Sequence, residues 1–515
     1  MAAPSPDWER QEAMADKATI VLFSHVSNTR SITGAEKLLL FFGRELSLYF
    51  NCVLVAPHEG KLTRQARSYG IGVELLPIPL LYGMYTPYPG LEADARTLLD
   101  SKDCKELTRW LWNLKPAFVL TSTCVHILPA MAAKVLGIPV IWKISETITD
   151  NEYTSLSVDL IHRYSDEILV ISNTAAIPFP EEIRMAKMTI LPPTWNDGEM
   201  LNEAWSKLRG ERRRELRITP DKPLIGYISS FINKEKGLEH FVNMAVQLSA
   251  RFPSSYFLVV GIPGDKNFYD RCVRKVKLEG LTSRFRFVGY EECIPAAYCA
   301  LDILVVPSLI REGFGMTALE GMAFGKPVVA YNSGGLSEIL EAAGCSDYLV
   351  PAEDIDALSE AVCTLLAEPG LAASVGIQAQ ERVNAVYGPA AYRARLQALA
   401  EVWNLRYPPL SAERYAAALA EPPAADAPGA PGPAPQPGPA AAAKLRRKRR
   451  AKLRRGRLRR GRLRRAKTRA RRRTRPAGKP RRTGRGRRAG SARRHGAGQR
   501  SGKRRSKSRR RRKSA

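Results

Sequence analysis

An apolar run at 303–307, a Gly-Phe-Gly turn at 313–315, a helical stretch closing at Gly325 and a second apolar run from Pro327 follow one another directly. Strand, glycine loop, helix and strand in this order form a parallel βαβ unit. Its loop amides and helix N-terminus fall at the carboxyl edge of a sheet, where open α/β folds bind phosphate-bearing ligands. The same rhythm runs through the chain. Short β-branched runs at 19–23, 52–56, 73–77, 117–120, 139–144, 167–171 and 188–191 alternate with helical patterns such as 35–48 and 128–136. An Arg-rich helical stretch at 202–217 marks a boundary. A second series follows at 224–228, 257–260, 286–288, 303–306, 328–330 and 348–350, and helices near 357–366 and 392–404 close the body. The fold class is α/β, with two doubly wound parallel sheets.

The 311–330 string holds two carboxylates eight positions apart, Glu312 in the loop and Glu320 in the first turn of the helix. A loop carboxylate can accept hydrogen bonds from a ligand in a cleft. An acid in the first helical turn is favoured by the helix dipole and can chelate a diol such as a ribose. Paired carboxylates also serve glycosidases, but a glycine loop in a parallel sheet suits a nucleotide better than a hydrolytic cleft. Lys236, before Gly237 at a helix start, places an ammonium where it can neutralise a diphosphate as a sugar–phosphate bond breaks. His25 and His126 each follow a strand of the first series, and His126 is a candidate for the cleft.

The 311–330 string closely resembles the E-x7-E region of retaining glycosyltransferases of family 4, which have the two-domain GT-B architecture; Gly321 stands where that pattern has Ala. Residues 233–237, Val260-Gly261, Phe287-Val288-Gly289, Gly334-Gly335 with Glu338, and Ile171-Ser172-Asn173 resemble further family motifs in order, so that the likeness spans roughly residues 18–405. The resemblance implies that Lys236 binds the donor diphosphate and Glu320 the ribose. Glu312 would meet the transferred sugar together with the amides of Gly313, Phe314, Gly315, Met316 and Thr317, and the base would lie near Val288, Gly289 and Tyr290. Gly34 matches the family's N-terminal glycine loop, with Thr33 where a first Gly is usual. Ser145 stands where many members have a His beside the transferred sugar, and Ser229-Ser230-Phe231 replaces the region of a second phosphate-binding Arg. A metal-independent reaction without an enzymic nucleophile is implied, and no Asp-x-Asp pair lies in a suitable loop.

The formal charge of +31 on 515 residues conceals two unlike parts. Residues 444–515 hold 39 of the 81 basic side chains and no acid, leaving 42 basic against all 50 acidic residues elsewhere. The expected organisation is a disordered N-terminus at 1–17, a first Rossmann-like domain at 18–200, a nucleotide-sugar-binding domain at 201–388, and helices returning to the first domain at 389–420. A Pro/Ala-rich linker at 421–443 and a disordered basic tail at 444–515 complete it. Such a tail binds polyanions with strong salt dependence: anionic membrane surfaces, envelope polymers or, without sequence reading, nucleic acid. Eight scattered cysteines without ligand spacing suit a reducing compartment. No signal-peptide core and no apolar run of about 18 residues is present, so a cytoplasmic body is expected, peripheral at the inner face of the membrane where the tail tethers it.

These readings converge on hexose transfer from a nucleotide-diphosphate sugar to a glycan or lipid acceptor of the cell envelope, with no cofactor. Two rivals remain: a catalytically degenerate GT-B body serving as a polyanion-binding module, and a GT-B nucleotide-sugar epimerase.

Overall fold

The computed structural model describes residues 17–29 and 32–409. The expected linker and basic tail lie outside these residues. A first sheet comprises β1 (Thr19–Phe23), β2 (Asn51–Ala56), β3 (Gly72–Leu75), β4 (Phe118–Ser122), β5 (Val140–Ile144), β6 (Glu167–Val170) and β7 (Met188–Ile190). A second comprises β8 (Leu224–Ile232), β9 (Tyr256–Pro263), β10 (Phe285–Val288), β11 (Ile303–Val306), β12 (Val328–Tyr331) and β13 (Leu349–Val350). Their orders are β3-β2-β1-β4-β5-β6-β7 and β10-β9-β8-β11-β12-β13, with every pairing parallel.

Helices cover both faces of a parallel sheet, so its strands are buried on both sides and read as continuous apolar runs. Every residue of β4 and of β5 is accordingly buried. Strand order reverses between β1 and β4 in one sheet and between β8 and β11 in the other. Those are the switch points outside which doubly wound sheets bind ligands. β8 and β9 run further than the apolar pattern indicates, with a register irregularity between Ile228 and Phe231. Ser229, Ser230 and Gly261 are weak strand formers, which hides the extension from the sequence.

The last helix returns to the first half. The helix Pro389–Arg406 buries Tyr392, Leu396, Ala400 and Trp403 among residues of the first sheet, including Ile20, Leu22 and Phe118. Trp403 Nε1 donates to Glu167 Oε2 at 2.8 Å, and Tyr407 Oη to Glu167 Oε1 at 2.9 Å. The helix Trp205–Glu215 instead belongs to the second half. Arg209 and Arg213 each reach Asp302, ahead of β11, at 2.6 Å, and the backbone N–H of Leu224 donates to the same carboxylate at 2.7 Å. Arg213 is only 2% exposed, so removing its partner strands a buried cation. Asp302→Ala is expected to lower stability by about 3 kcal/mol, read as a lower urea midpoint with an unchanged slope.

Candidate active site

The site grows from the 3-10 turn Lys234–Lys236 and the loop after β11. Gly237 ends the turn with φ +73° and opens the helix Leu238–Arg251. A Cβ there would stand 1.8 Å from the Pro307 carbonyl oxygen, so only glycine lets the turn lie on the end of β11. Leu309 N–H donates to Glu235 O at 2.8 Å and fixes this contact. Lys236 Nζ therefore meets Glu312 Oε1 at 2.6 Å, and Ser308 Oγ donates to the same oxygen at 2.7 Å.

The loop of Glu312 is itself held by the glycine pair. Gly335 N–H donates to Glu312 O at 2.8 Å, and a Cβ on Gly335 would lie 2.5 Å from Phe314 Cα. Gly315 has φ +113° and turns the chain into the helix Met316–Ala323. Among the described residues none of the amides of 313–317 donates to a protein acceptor. A cluster of unpaired donors at a helix N-terminus facing an ammonium is an anion site.

One turn further on, half-buried Glu320 accepts a hydrogen bond from Tyr298 Oη at 2.7 Å on Oε2. Burial raises the pKa of this carboxyl, and it drives the Tyr298 phenol far above its usual range, so that phenol remains a donor. Gly321, beneath, has no room for a methyl group: a Cβ would stand 2.4 Å from Leu304 Cδ2.

One cavity brings together Lys236, Glu312, Gly313, Phe314, Gly315, Met316 and Thr317 with Gly34 and Ser145 from the first half. Ser229, from the segment that stands in place of the Arg region of the resemblance, lines it too. A second cavity continues from Gly34 and Met316 along Glu320 to Tyr298, Ile294 and Pro295. The halves approach closely here: a Cβ on Gly313 would be 3.0 Å from the Ser145 carbonyl oxygen. Gly34 opens the helix Gly34–Leu46, and nothing lies within 4 Å of the Cβ it lacks. Thr33 caps that helix, and Glu36 answers with a carboxylate that accepts from Thr33 N, Thr33 Oγ1, Asn28 N and Asn28 Nδ2 at 2.7–2.8 Å. Thr33, where the resemblance has a first glycine, thus serves as the cap of this helix.

Two groups of expected residues lie elsewhere. His126 does not face the cleft. It is 0% exposed, its ring sits edge-on to Phe23, and both ring nitrogens lack a partner. Burial, with His25 adding a lesser effect, lowers its pKa to about 3, so it is neutral. Val288 ends the edge strand β10 and Gly289 and Tyr290 follow it, outside the residues lining either cavity, and Tyr290 is 54% exposed. Ile294 and Pro295 line the second cavity.

Contacts between the halves were not legible as site chemistry in the sequence. Glu338, at the start of the helix Gly335–Ala342, accepts from Asn173 N, Asn173 Nδ2, Thr174 N and Thr174 Oγ1 at 2.7–3.1 Å. Ser172 Oγ donates to the carbonyl of Gly313. Only the order of these residues along the chain signalled them. Thr123, after β4, has φ +70°, uncommon for a β-branched residue, and its hydroxyl holds Glu146 beside Ser145. Glu338→Ala removes every acceptor of the first contact set. In ligand-free protein it is expected to lengthen the distance between spin labels placed on the two halves, read by double electron–electron resonance, while leaving the unfolding midpoint nearly unchanged.

Residues 222–368 match the family described as Glycosyl transferases group 1. The chain is 36% identical over 152 residues to the 2-deoxystreptamine N-acetyl-D-glucosaminyltransferase of Streptomyces fradiae, covering 29% of this chain and 35% of that protein. It is 23% identical over 329 residues to the alpha-D-kanosaminyltransferase of Streptomyces kanamyceticus, covering 61% and 84%. It is 33% identical over 170 residues to the lipopolysaccharide core mannosyltransferase LpsB of Rhizobium meliloti, covering 32% and 47%. The first and third matches thus span less than half of those relatives' own length. The fold is that of Anabaena HepE, solved in complex with UDP: TM-score 0.61 at 16% identity, over 75% of this chain and 100% of that one. The two parallel-sheet domains are therefore a GT-B fold, and each of these sequence relatives is a glycosyltransferase.

Proposed function

We propose that the chain is a retaining glycosyltransferase that moves a hexose-type sugar from a nucleotide-diphosphate donor to a hydroxyl of a glycan or lipid. The observation that carries this reading is the set of unpaired amides at 313–317 opposite Lys236. They form a preorganised receptor for a diphosphate whose negative charge grows as the sugar leaves. Glu320 holds the ribose through the oxygen that Tyr298 leaves open, and Glu312 with the loop amides meets the sugar. The leaving diphosphate takes the acceptor proton, so no side chain serves as nucleophile. The relatives acting on 2-deoxystreptamine and on lipopolysaccharide core favour a polyhydroxylated acceptor. The basic segment 444–515 tethers the enzyme to anionic membrane or another polyanion in the cytoplasm.

A ligand that binds only the native state raises its melting temperature, equivalent to about 2.7 kcal/mol at a concentration 100 times Kd. A thermal-shift series on the full chain with UDP, GDP and their common hexose conjugates is expected to show a rise with one nucleotide and its sugars. No shift with any of them overturns the reading.

A further inference from the structure

β5 carries a charge that the architecture does not require. Lys143 is 6% exposed in a strand whose other residues are all apolar. Among the described residues no carboxylate lies within 4.0 Å of its ammonium. It donates one hydrogen bond, to Ser145 Oγ at 2.9 Å, and lies 6.0 Å from the centre of the Phe42 ring. A buried ammonium with three donors and one acceptor is costly, and a methionine would fill the same space without that cost. The small cavity it lines shares Leu38, Ile171 and Pro193 with the donor cleft, so the amine sits directly behind the cleft wall. Thr194 Oγ1, in the same small cavity, also lacks a partner. Lys236 is the one cation among the residues lining the donor cavity, and Glu312 already pairs with it.

We propose that Lys143 is a positioning residue that delivers a second positive charge to the donor's diphosphate through Ser145. By occupying a lone pair of Ser145 Oγ, the ammonium turns that hydroxyl's own proton toward the cleft, where it donates to an anionic phosphate oxygen. The idea rests on the nucleotide-sugar reading above.

Burial lowers the Lys143 pKa to about 8, opposed by the nearby Glu146 carboxylate. The other polar groups in its cavity do not titrate between pH 7 and 9: Thr194 is an alcohol, and burial drives the Tyr392 phenol well above that window. In the free protein the charge is therefore present below about pH 8 and lost above it, while a bound anion holds the proton. Nucleotide affinity should fall as pH rises through 8. Titration elsewhere in the protein is common to wild type and a Lys143 variant, so the ratio of the two isolates Lys143.

The test is titration of UDP and GDP into the full chain, its Lys143→Met variant and its Ser145→Ala variant between pH 7 and 9.5, with melting temperatures recorded alongside. The expected result is about 10-fold weaker binding of Lys143→Met at pH 7, a ratio that shrinks toward one by pH 9.5, and a melting temperature no lower than wild type. Ser145→Ala should reproduce the affinity loss and the flattened pH profile without altering β5. Wild-type affinity at pH 7 in either variant, or a ratio constant with pH, overturns the proposal. Wild type that binds neither nucleotide overturns the donor reading itself, and the inference with it.

Discussion

Lys236→Ala is expected to weaken both nucleoside-diphosphate binding and sugar transfer by about 100- to 1000-fold. Two effects add. The variant loses the only cation among the residues lining the donor cavity. It also leaves Glu312, which accepts from Lys236 at 2.6 Å, as an uncompensated carboxylate facing an anion. The second effect can be separated. In Lys236→Ala with Glu312→Gln the repulsion is gone, so nucleotide affinity should recover by about 10-fold over the single variant while transfer remains lost. Calorimetry on both variants distinguishes this from a simple loss of one contact, in which the double variant would bind no better than Lys236→Ala.

Gly237→Ala should be the most damaging methyl group that can be added to the donor half. The residue lies at φ +73°, and its Cβ would fall 1.8 Å from the Pro307 oxygen and 2.8 Å from the carbonyl carbon. Both neighbours are backbone, so the turn must lift off β11 and carry Lys236 with it. A loss of about 2–4 kcal/mol in unfolding free energy is expected, together with loss of nucleotide binding. Gly280 supplies the control. It has φ +71° but nothing within 4 Å of a Cβ, so Gly280→Ala isolates the left-handed backbone cost, about 1 kcal/mol. Equal urea midpoints for the two variants would show that the contact with Pro307 imposes no constraint.

The sheets were largely legible because strands buried on both faces announce themselves as apolar runs. β1 and β11 begin and end where those runs do. The ends of β8 and β9 were not, since Ser229, Ser230 and Gly261 fall at the irregularity that interrupts the pairing between Ile228 and Phe231. The glycine turns around 237, 315 and 335 were legible for a related reason: these glycines are required by backbone approach or positive φ, and they stand within a short local pattern. Partners drawn from separate elements leave no such trace. Nothing in spacing connects Tyr298 to Glu320, Glu338 to Asn173, or Lys143 to a cleft. His126 shows the converse limit, because a histidine following a strand reads the same whether it points into the cleft or, as here, into the core.

In the proposed reading the amides of 313–317 and Lys236 bind a diphosphate, while Glu320 binds the nucleoside attached to it. Calorimetric titration of wild type, Lys236→Ala and Glu320→Ala with inorganic pyrophosphate and with UDP and GDP tests this division directly. Glu320→Ala should weaken the preferred nucleotide by about 10-fold or more and leave pyrophosphate affinity unchanged, whereas Lys236→Ala should weaken both. Nucleotide affinity unaltered by Glu320→Ala, or pyrophosphate and nucleotide weakened equally by it, would contradict the account.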